Sequence, residues 1–576
     1  MIGAMPTFDP RTRDTWLFWI TALLVLGAGL GLRDPWPADE PRFALVAKQM
    51  VESGDWLFPH RGIELYSDKP PMLMWLQAMF FTIFGNWRVA FLLPSLLAAL
   101  GTLWCVQDLG RRLWTRRVGL YAAWALLFAF QFTWQSKKAQ IDPLVTFFIT
   151  FANYLLLRHL LLGGDWRWWT IGWFAAGLGT ITKGVGALAL LMLLPAAIAS
   201  VRGWPRVRVH ARDPRFWLGP LAFLVAVSLW LLPVVAVALS RDLPEYRAYL
   251  DDILFRQTAK RYSQSWDHHQ PAWYHLGVMA TMWIPPVLAL PWALGAWRRR
   301  LRRRDPRYLL PLAWWLLLVV FFSIPHGKRD VYIMPALPMM CLALAPLLPG
   351  LLRRRFARAV VLALAALLAL LFLGLGASTL REAGSMAVRL QEQRGLDPAG
   401  VRAAAWMLLA MGAWATAALL ALWRRPVVVL FAGLGGLWVA FGLVGYPILN
   451  DASSARGVMA AAGARIGPDA ELGLVAWKEQ NLLMADRPAA NFGFKVPWDE
   501  QLRAAAAWQA QAPDRWLLVQ EDALESCLDP QRIELAGISN RRRWWLVPPG
   551  AVTGECVPSA EELERAAAGQ AREIAD

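Results

Sequence analysis

Long apolar runs recur along the chain, separated by short polar stretches. The windows lie at about 15–33, 88–109, 118–135, 141–161, 166–182, 184–201, 214–238, 272–294, 308–323, 330–348, 356–377, 402–423 and 427–446. Each holds roughly 16 to 25 residues with almost no charge, enough at about 1.5 Å per residue to cross, or nearly cross, a hydrocarbon core of roughly 30 Å. The pattern predicts a mainly α, polytopic membrane protein of about 13 transmembrane helices. Two segments break the rhythm. Pro70–Phe84 is apolar but only about 15 residues long, which predicts a helix lying at the interface in the first outer loop. Leu243–Gln257, carrying Glu245, Asp251, Asp252 and Arg256, reads equally well as a second interfacial helix or a solvated one.

After Tyr446 the long windows stop. Short β-type runs (Leu472–Trp477, Trp516–Gln520, Trp544–Val547) alternate with amphipathic helical stretches (Ser454–Ile466, Asp499–Ala510). Residues 1–446 are therefore expected to form a membrane domain and 447–576 a small extracytoplasmic α/β domain.

Composition supports this division: 57% of residues are hydrophobic and the mean hydropathy is +0.36. The net charge of +17 invites a nucleic-acid partner, but its distribution argues for none. Arginines cluster at Arg111–Arg117, Arg202–Arg215, Arg298–Arg307, Arg353–Arg358 and Arg424–Arg425, on every second loop. That is the positive-inside pattern, which puts these loops and the N-terminus in the cytoplasm. The loops 33–87, 136–140, 182–183, 239–271, 324–329 and 378–401, and everything after 446, then lie outside. The first span is followed directly by Arg33-Asp34-Pro35-Trp36, without a small-residue cleavage site, and reads as an uncleaved anchor in the inner (plasma) membrane. Of four cysteines, Cys105 and Cys341 fall in spans as small apolar residues, while Cys527 and Cys556 fall outside and are able to pair.

Charge next to a bilayer costs stability unless something offsets it, so the charged residues of the outer loops are candidates for function. Asp39 and Glu40 follow the first span, where Asp39 also suits a helix N-cap before Pro41-Arg42. Asp142 opens the fourth span and, before Pro143, has the same capping alternative. Lys69, ahead of Pro70-Pro71, and Lys137, Lys138 and Lys183 can simply snorkel to headgroups. Lys328 and Arg329 break the charge rule by lying outside between two apolar spans, which suits a lipid phosphate. Asp68, Asp267 and His268 form at most part of a divalent metal site (zinc or magnesium), since adjacent histidines rarely ligate one ion and no HExxH spacing occurs. No cofactor is required by any motif: Walker A, GxGxxG and GxSxG patterns are all missing.

The motifs Asp39-Glu40-Pro41-Arg42-Phe43-Ala44, Gly54-Asp55-Trp56, Asp68-Lys69-Pro70-Pro71, Ile141-Asp142-Pro143, Arg261-Tyr262, His268 to Tyr274, and Gly327 to Pro335 occur in order over roughly the first 350 residues. Together they resemble the C-type integral-membrane glycosyltransferases, in the branch of the lipid A 4-amino-4-deoxy-L-arabinose transferases and protein O-mannosyltransferases. The resemblance implies 13 spans, interfacial helices in the first outer loop and a C-terminal α/β domain. It also implies essential acids at Asp39 and Asp142 and donor-phosphate contacts at Lys69, Lys328 and Tyr332; Glu40 is a further catalytic candidate, and Arg42 and Arg261 are further candidates for the phosphate. The implied donor is a polyprenyl-phosphate-linked sugar and the acceptor is lipid A or another outer-leaflet molecule. Asp68 where Glu is usual, and Arg329-Asp330 where Leu-Pro is common, leave the sugar open. Protein O-mannosylation is the alternative within the enzymes, and a non-enzymatic flippase or transporter of polyprenyl-linked sugar is the alternative from another class. Its charges are expected mid-span, whereas here they gather in outer loops.

Overall fold

The computed structural model describes residues 10–254, 269–381, 385–554 and 556–575. Among them, nine helices are long and apolar enough to cross a membrane: Trp87–Leu113, Ile141–Leu162, Gly184–Val201, Pro214–Arg241, Pro306–Ser323, Asp330–Leu351, Arg355–Leu380, Pro398–Leu422 and Pro426–Ser454. The chain is mainly helical and multi-pass. The other four predicted windows are helical but do not meet that test unbroken, each for a visible reason. Pro10–Gly27 takes Arg11, Arg13 and Asp14 into its first turns, and Trp166–Thr180 has 15 residues. Tyr274–Met282 and Pro286–Arg302 meet at a 102° bend, where Pro285 and Pro286 remove backbone donors. Arg116–Leu127 stops before a second helix, Phe130–Ser136. The two breaks answer one another: the amide of Phe130 donates to the carbonyl of Ile284 at 2.9 Å, which satisfies groups that would otherwise be stranded at membrane depth.

Small residues let the helices close up. A Cβ on Gly110 would lie 2.8 Å from the Cα of Gly119, so Leu93–Leu113 and Arg116–Leu127 touch backbone to backbone. Around them Leu103, Val106, Leu109, Leu126 and Ile149 are fully buried in the largest core.

The long loop after Pro10–Gly27 is built as the helix Glu40–Ser53, a two-stranded hairpin of β1 (His60–Arg61) and β2 (Glu64–Leu65), and the 13-residue apolar helix Met72–Phe84. Helix Pro244–Asp251 docks on it through Tyr246, whose ring stacks on Phe58 at 3.9 Å. The last residues of the expected segment Leu243–Gln257 lie outside the described part.

The last span passes Tyr446 without a break and ends at Ser454, where Ala455 turns with φ 64°. The helix that starts at Pro426 therefore runs past Tyr446 to Ser454. Beyond it, β3 (Glu471–Val475), β4 (Ala489–Asn491), β5 (Arg515–Gln520), β6 (Glu534–Ser539) and β7 (Arg542–Val547) form one mixed sheet in the order β4-β3-β5-β7-β6. Strand β3 is parallel to both neighbours, and β7 is antiparallel to both of its own. Helices Arg456–Ile466 and Trp498–Gln509 cover the sheet, and Cys527 is bonded to Cys556.

This domain is not a loose appendage. Ala44, Leu45, Phe91 and Leu92 of the membrane domain share a core with Val458, Met459, Leu472 and Trp477. The carboxylate of Glu64, on β2, accepts from the amides of Phe494 and Lys495 at 2.9 and 3.1 Å. The first loop is thus clamped from both sides.

Candidate active site

The loop is fixed by charge as well as by packing. Arg33, 2% exposed, forms a two-pronged pair with Glu40, which also accepts from the amides of Trp36 and Ala139. All of Glu40's acceptor capacity is spent on its own chain. Asp34 accepts from Arg88, Arg456 and Asn450, tying the loop start to the last span and to the C-terminal domain.

Asp39 occupies the N-cap position of Glu40–Ser53 but makes no side-chain capping bond. Its carboxylate turns instead to Gln140 Nε2 at 3.1 Å, Arg329 Nη2 at 3.5 Å and Arg42 Nη1 at 3.8 Å. Burial alone would raise this carboxyl, but the charges of Arg42, Arg329, Lys69 and Lys183 outweigh it and hold it below the usual carboxylate range.

Asp142 lies in the first turn of Ile141–Leu162, whose N-cap is Gln140, and accepts from Lys183 Nζ at 2.7 Å. Lys183 in turn lies 4.8 Å over the ring of Tyr332. Arg329 feels both Asp39 and Asp142. Asp39, Asp142, Arg42, Lys69, Lys183, Arg329 and Tyr332 thus share one neighbourhood.

Lys328 is placed differently. It is 3% exposed and its ammonium donates to the carbonyl of Gln270 at 2.9 Å. Neighbours on extended backbone face opposite ways, and Arg329 is extended at φ −124°, ψ 149°. Arg329 therefore faces the acids, and Lys328 is turned inward to brace the segment. Arg261 and His268 lie outside the described residues.

Asp68 faces a cation already, Arg61 at 3.4 Å, which competes with any metal ion. Among the described residues, the three that come close enough to hold an ion, Glu525, Cys527 and Cys556, include both members of the disulfide, so neither sulfur has a thiolate to offer.

The family model of the dolichyl-phosphate-mannose-protein mannosyltransferases matches residues 68–232. The undecaprenyl phosphate-alpha-4-amino-4-deoxy-L-arabinose arabinosyl transferase of Pseudomonas paraeruginosa is 32% identical over 449 residues, 75% of each chain. The chain belongs to this arabinosyl transferase family. The member from Pectobacterium carotovorum is also 32% identical, over 58% of this chain and 59% of its own length, so the match spans less than two thirds of that relative. Among solved structures, ArnT from Cupriavidus metallidurans superposes with TM-scores of 0.73 in the apo state and 0.72 bound to undecaprenyl phosphate. Identity is 19% in both, over 95% and 94% of this chain and 100% and 99% of that one. Those likenesses establish the fold.

In this arabinosyl transferase homologue the residues that motif reasoning passes over are Arg33, Arg61 and Glu479. Glu479, from the C-terminal domain, is 2% exposed and lies 3.2 Å from Arg42 and 3.5 Å from Arg61. The Arg61 guanidinium is stacked 3.8 Å from the ring of Phe494. No local pattern marks Glu479, which opens the short helix Glu479–Met484 far along the chain. The charge of Arg33 was visible, but only as the end of a span.

Proposed function

We propose that the chain is a glycosyltransferase that moves 4-amino-4-deoxy-L-arabinose from undecaprenyl phosphate to a phosphate of lipid A at the outer face of the inner membrane. The supporting observation is the state of Asp39. A carboxylate held below its usual range by four cations is a poor proton acceptor. A hydroxyl acceptor needs a base, whereas a phosphate acceptor is already anionic and needs none. Asp39 then positions the donor, its charge suited to the amine of the sugar, while Arg42, Lys69, Lys183 and Arg329 surround the donor phosphate. Asp142 orients Lys183, and Arg261 and Tyr332 complete this set as the motif resemblance implies.

In the step itself an oxygen of the acceptor phosphate bonds to the anomeric carbon from the face opposite the leaving group. The anomeric bond to undecaprenyl phosphate breaks, its electron pair leaves on that phosphate, and configuration inverts. One phosphate monoester becomes a diester as the other is released, so no proton has to move.

Sidedness belongs to the same reading. Counting the short and broken helices as spans restores 13, with the N-terminus in the cytoplasm and the acids and C-terminal domain outside. The Cys527–Cys556 bond supports an oxidising compartment for that domain. The match to the mannosyltransferase model keeps protein O-mannosylation as a second reading. Purified chain given undecaprenyl-phosphate-linked aminoarabinose with lipid A or a protein acceptor tests this: transfer to lipid A is expected, and transfer to protein alone contradicts it.

A further inference from the structure

A cavity of about 780 Å³ has Asp39 on its wall but neither Lys69 nor Asp142. Its other charged lining, apart from the Arg33–Glu40 pair, is cationic: Lys138, Arg389, Arg394 and Arg541. Among the described residues Arg389, Arg394 and Arg541 have no carboxylate within 4.0 Å. Burial and the charge of Arg541 push the Arg394 guanidinium down from its ordinary value, the mark of like charges held together without a counterion.

The segments that carry Arg394 and Arg541 lie against one another. Arg389 opens the turn Arg389–Gln393, between the spans Arg355–Leu380 and Pro398–Leu422. Arg541 and Asn540 form the two-residue turn from β6 to β7 with φ of 68° and 50°, the geometry of a type I′ hairpin. The Asn540 amide donates to the carbonyl of Ala452 at 3.0 Å, near the end of the last span. Gly395 has φ 72°, and a Cβ there would lie 2.8 Å from the carbonyl oxygen of Ile538 on β6. Loop and hairpin therefore lie against one another, and Phe441 of the last span lines the same cavity.

We propose that this cavity is the acceptor subsite, where Arg389, Arg394 and Arg541, with Lys138, hold a phosphate of a phosphorylated lipid headgroup beside Asp39. The assignment rests on the transferase reading above and adds which wall receives the acceptor. It also makes the C-terminal domain a supplier of a substrate contact through Arg541.

Steady-state kinetics of the full chain in vesicles separate the two substrates. Arg394→Ala and Arg541→Ala are each expected to raise KM for lipid A about tenfold, as for losing a charged hydrogen bond, with KM for the donor changed less than about twofold. Arg541→Lys should keep most of the affinity, and Gly395→Ala, which has to push the loop off Ile538, should shift the acceptor KM in the same direction. Unmoved acceptor KM in both alanine variants, or donor KM raised equally, overturns the subsite while leaving the transferase reading intact. A wild-type chain that transfers nothing to lipid A overturns both. Inorganic phosphate is the second probe: inhibition only far above the working lipid A concentration supports a lipid headgroup, and inhibition at comparable concentration contradicts it.

Discussion

Asp39 shows how a capping position can serve a second purpose. The helix Glu40–Ser53 starts where an N-cap is expected, with Pro41 in its first turn, yet the carboxylate is released to Gln140 and Arg329. Asp39→Asn keeps the shape and removes the charge. Transfer is expected to fall by about 10²–10³-fold at normal expression, the scale of a lost electrostatic contact to the reacting groups, and unchanged transfer in washed membranes would remove Asp39 from the mechanism. Glu525 offers a test unconnected with transfer. Burial, and then the carboxylates of Glu562 and Asp499, push it up to about 7 from an ordinary 4.5. A raised acid favours the folded state below its unfolded value and loses that contribution as pH rises to about 7. Glu525→Gln is therefore expected to raise the melting temperature at about pH 8 and to change little near pH 4.

Among the elements, the loop that carries Arg33 and Glu40 depends most on distant sequence. Its buried Arg33–Glu40 pair has no solvent to fall back on, so Arg33→Ala strands a carboxylate. A loss of about 3–5 kcal/mol is expected from thermal or denaturant unfolding, with expression and activity falling together. The disulfide closes a loop with a sequence separation of 29. Removing it by Cys527→Ser should cost about 3 kcal/mol, seen as a lower melting temperature of the full chain that reductant reproduces in the wild type. Apolar windows and turn residues made the spans, the short helix Met72–Phe84 and three of the five C-terminal strands legible. Strands β4 and β6 were not, because Ala489–Asn491 is too short to show alternation and Glu534–Ser539 carries Gly537 at a register shift. The broken helices at Phe128 and Pro285 read as continuous spans because hydropathy reports burial, not the path of the backbone.

Over the whole molecule, residues separated by hundreds of positions meet at one surface: Asp39, Asp142 and Arg329 from the membrane domain, with Glu479 of the C-terminal domain braced against Arg42. The acids were legible because charge beside an apolar span is costly and their motifs resemble a known family. Whether Lys328 or Arg329 faces them was not, since spacing alone does not say which side of an extended segment looks inward. Nor does any pattern bring Arg541 to the loop after Leu380. On the proposed function, this surface adds aminoarabinose to lipid A. Mass spectrometry of lipid A from cells with the wild-type gene, without it, and with Asp39→Asn tests it most directly. Aminoarabinose on a lipid A phosphate in the first, and none or nearly none in the other two, is predicted; identical lipid A in all three contradicts it.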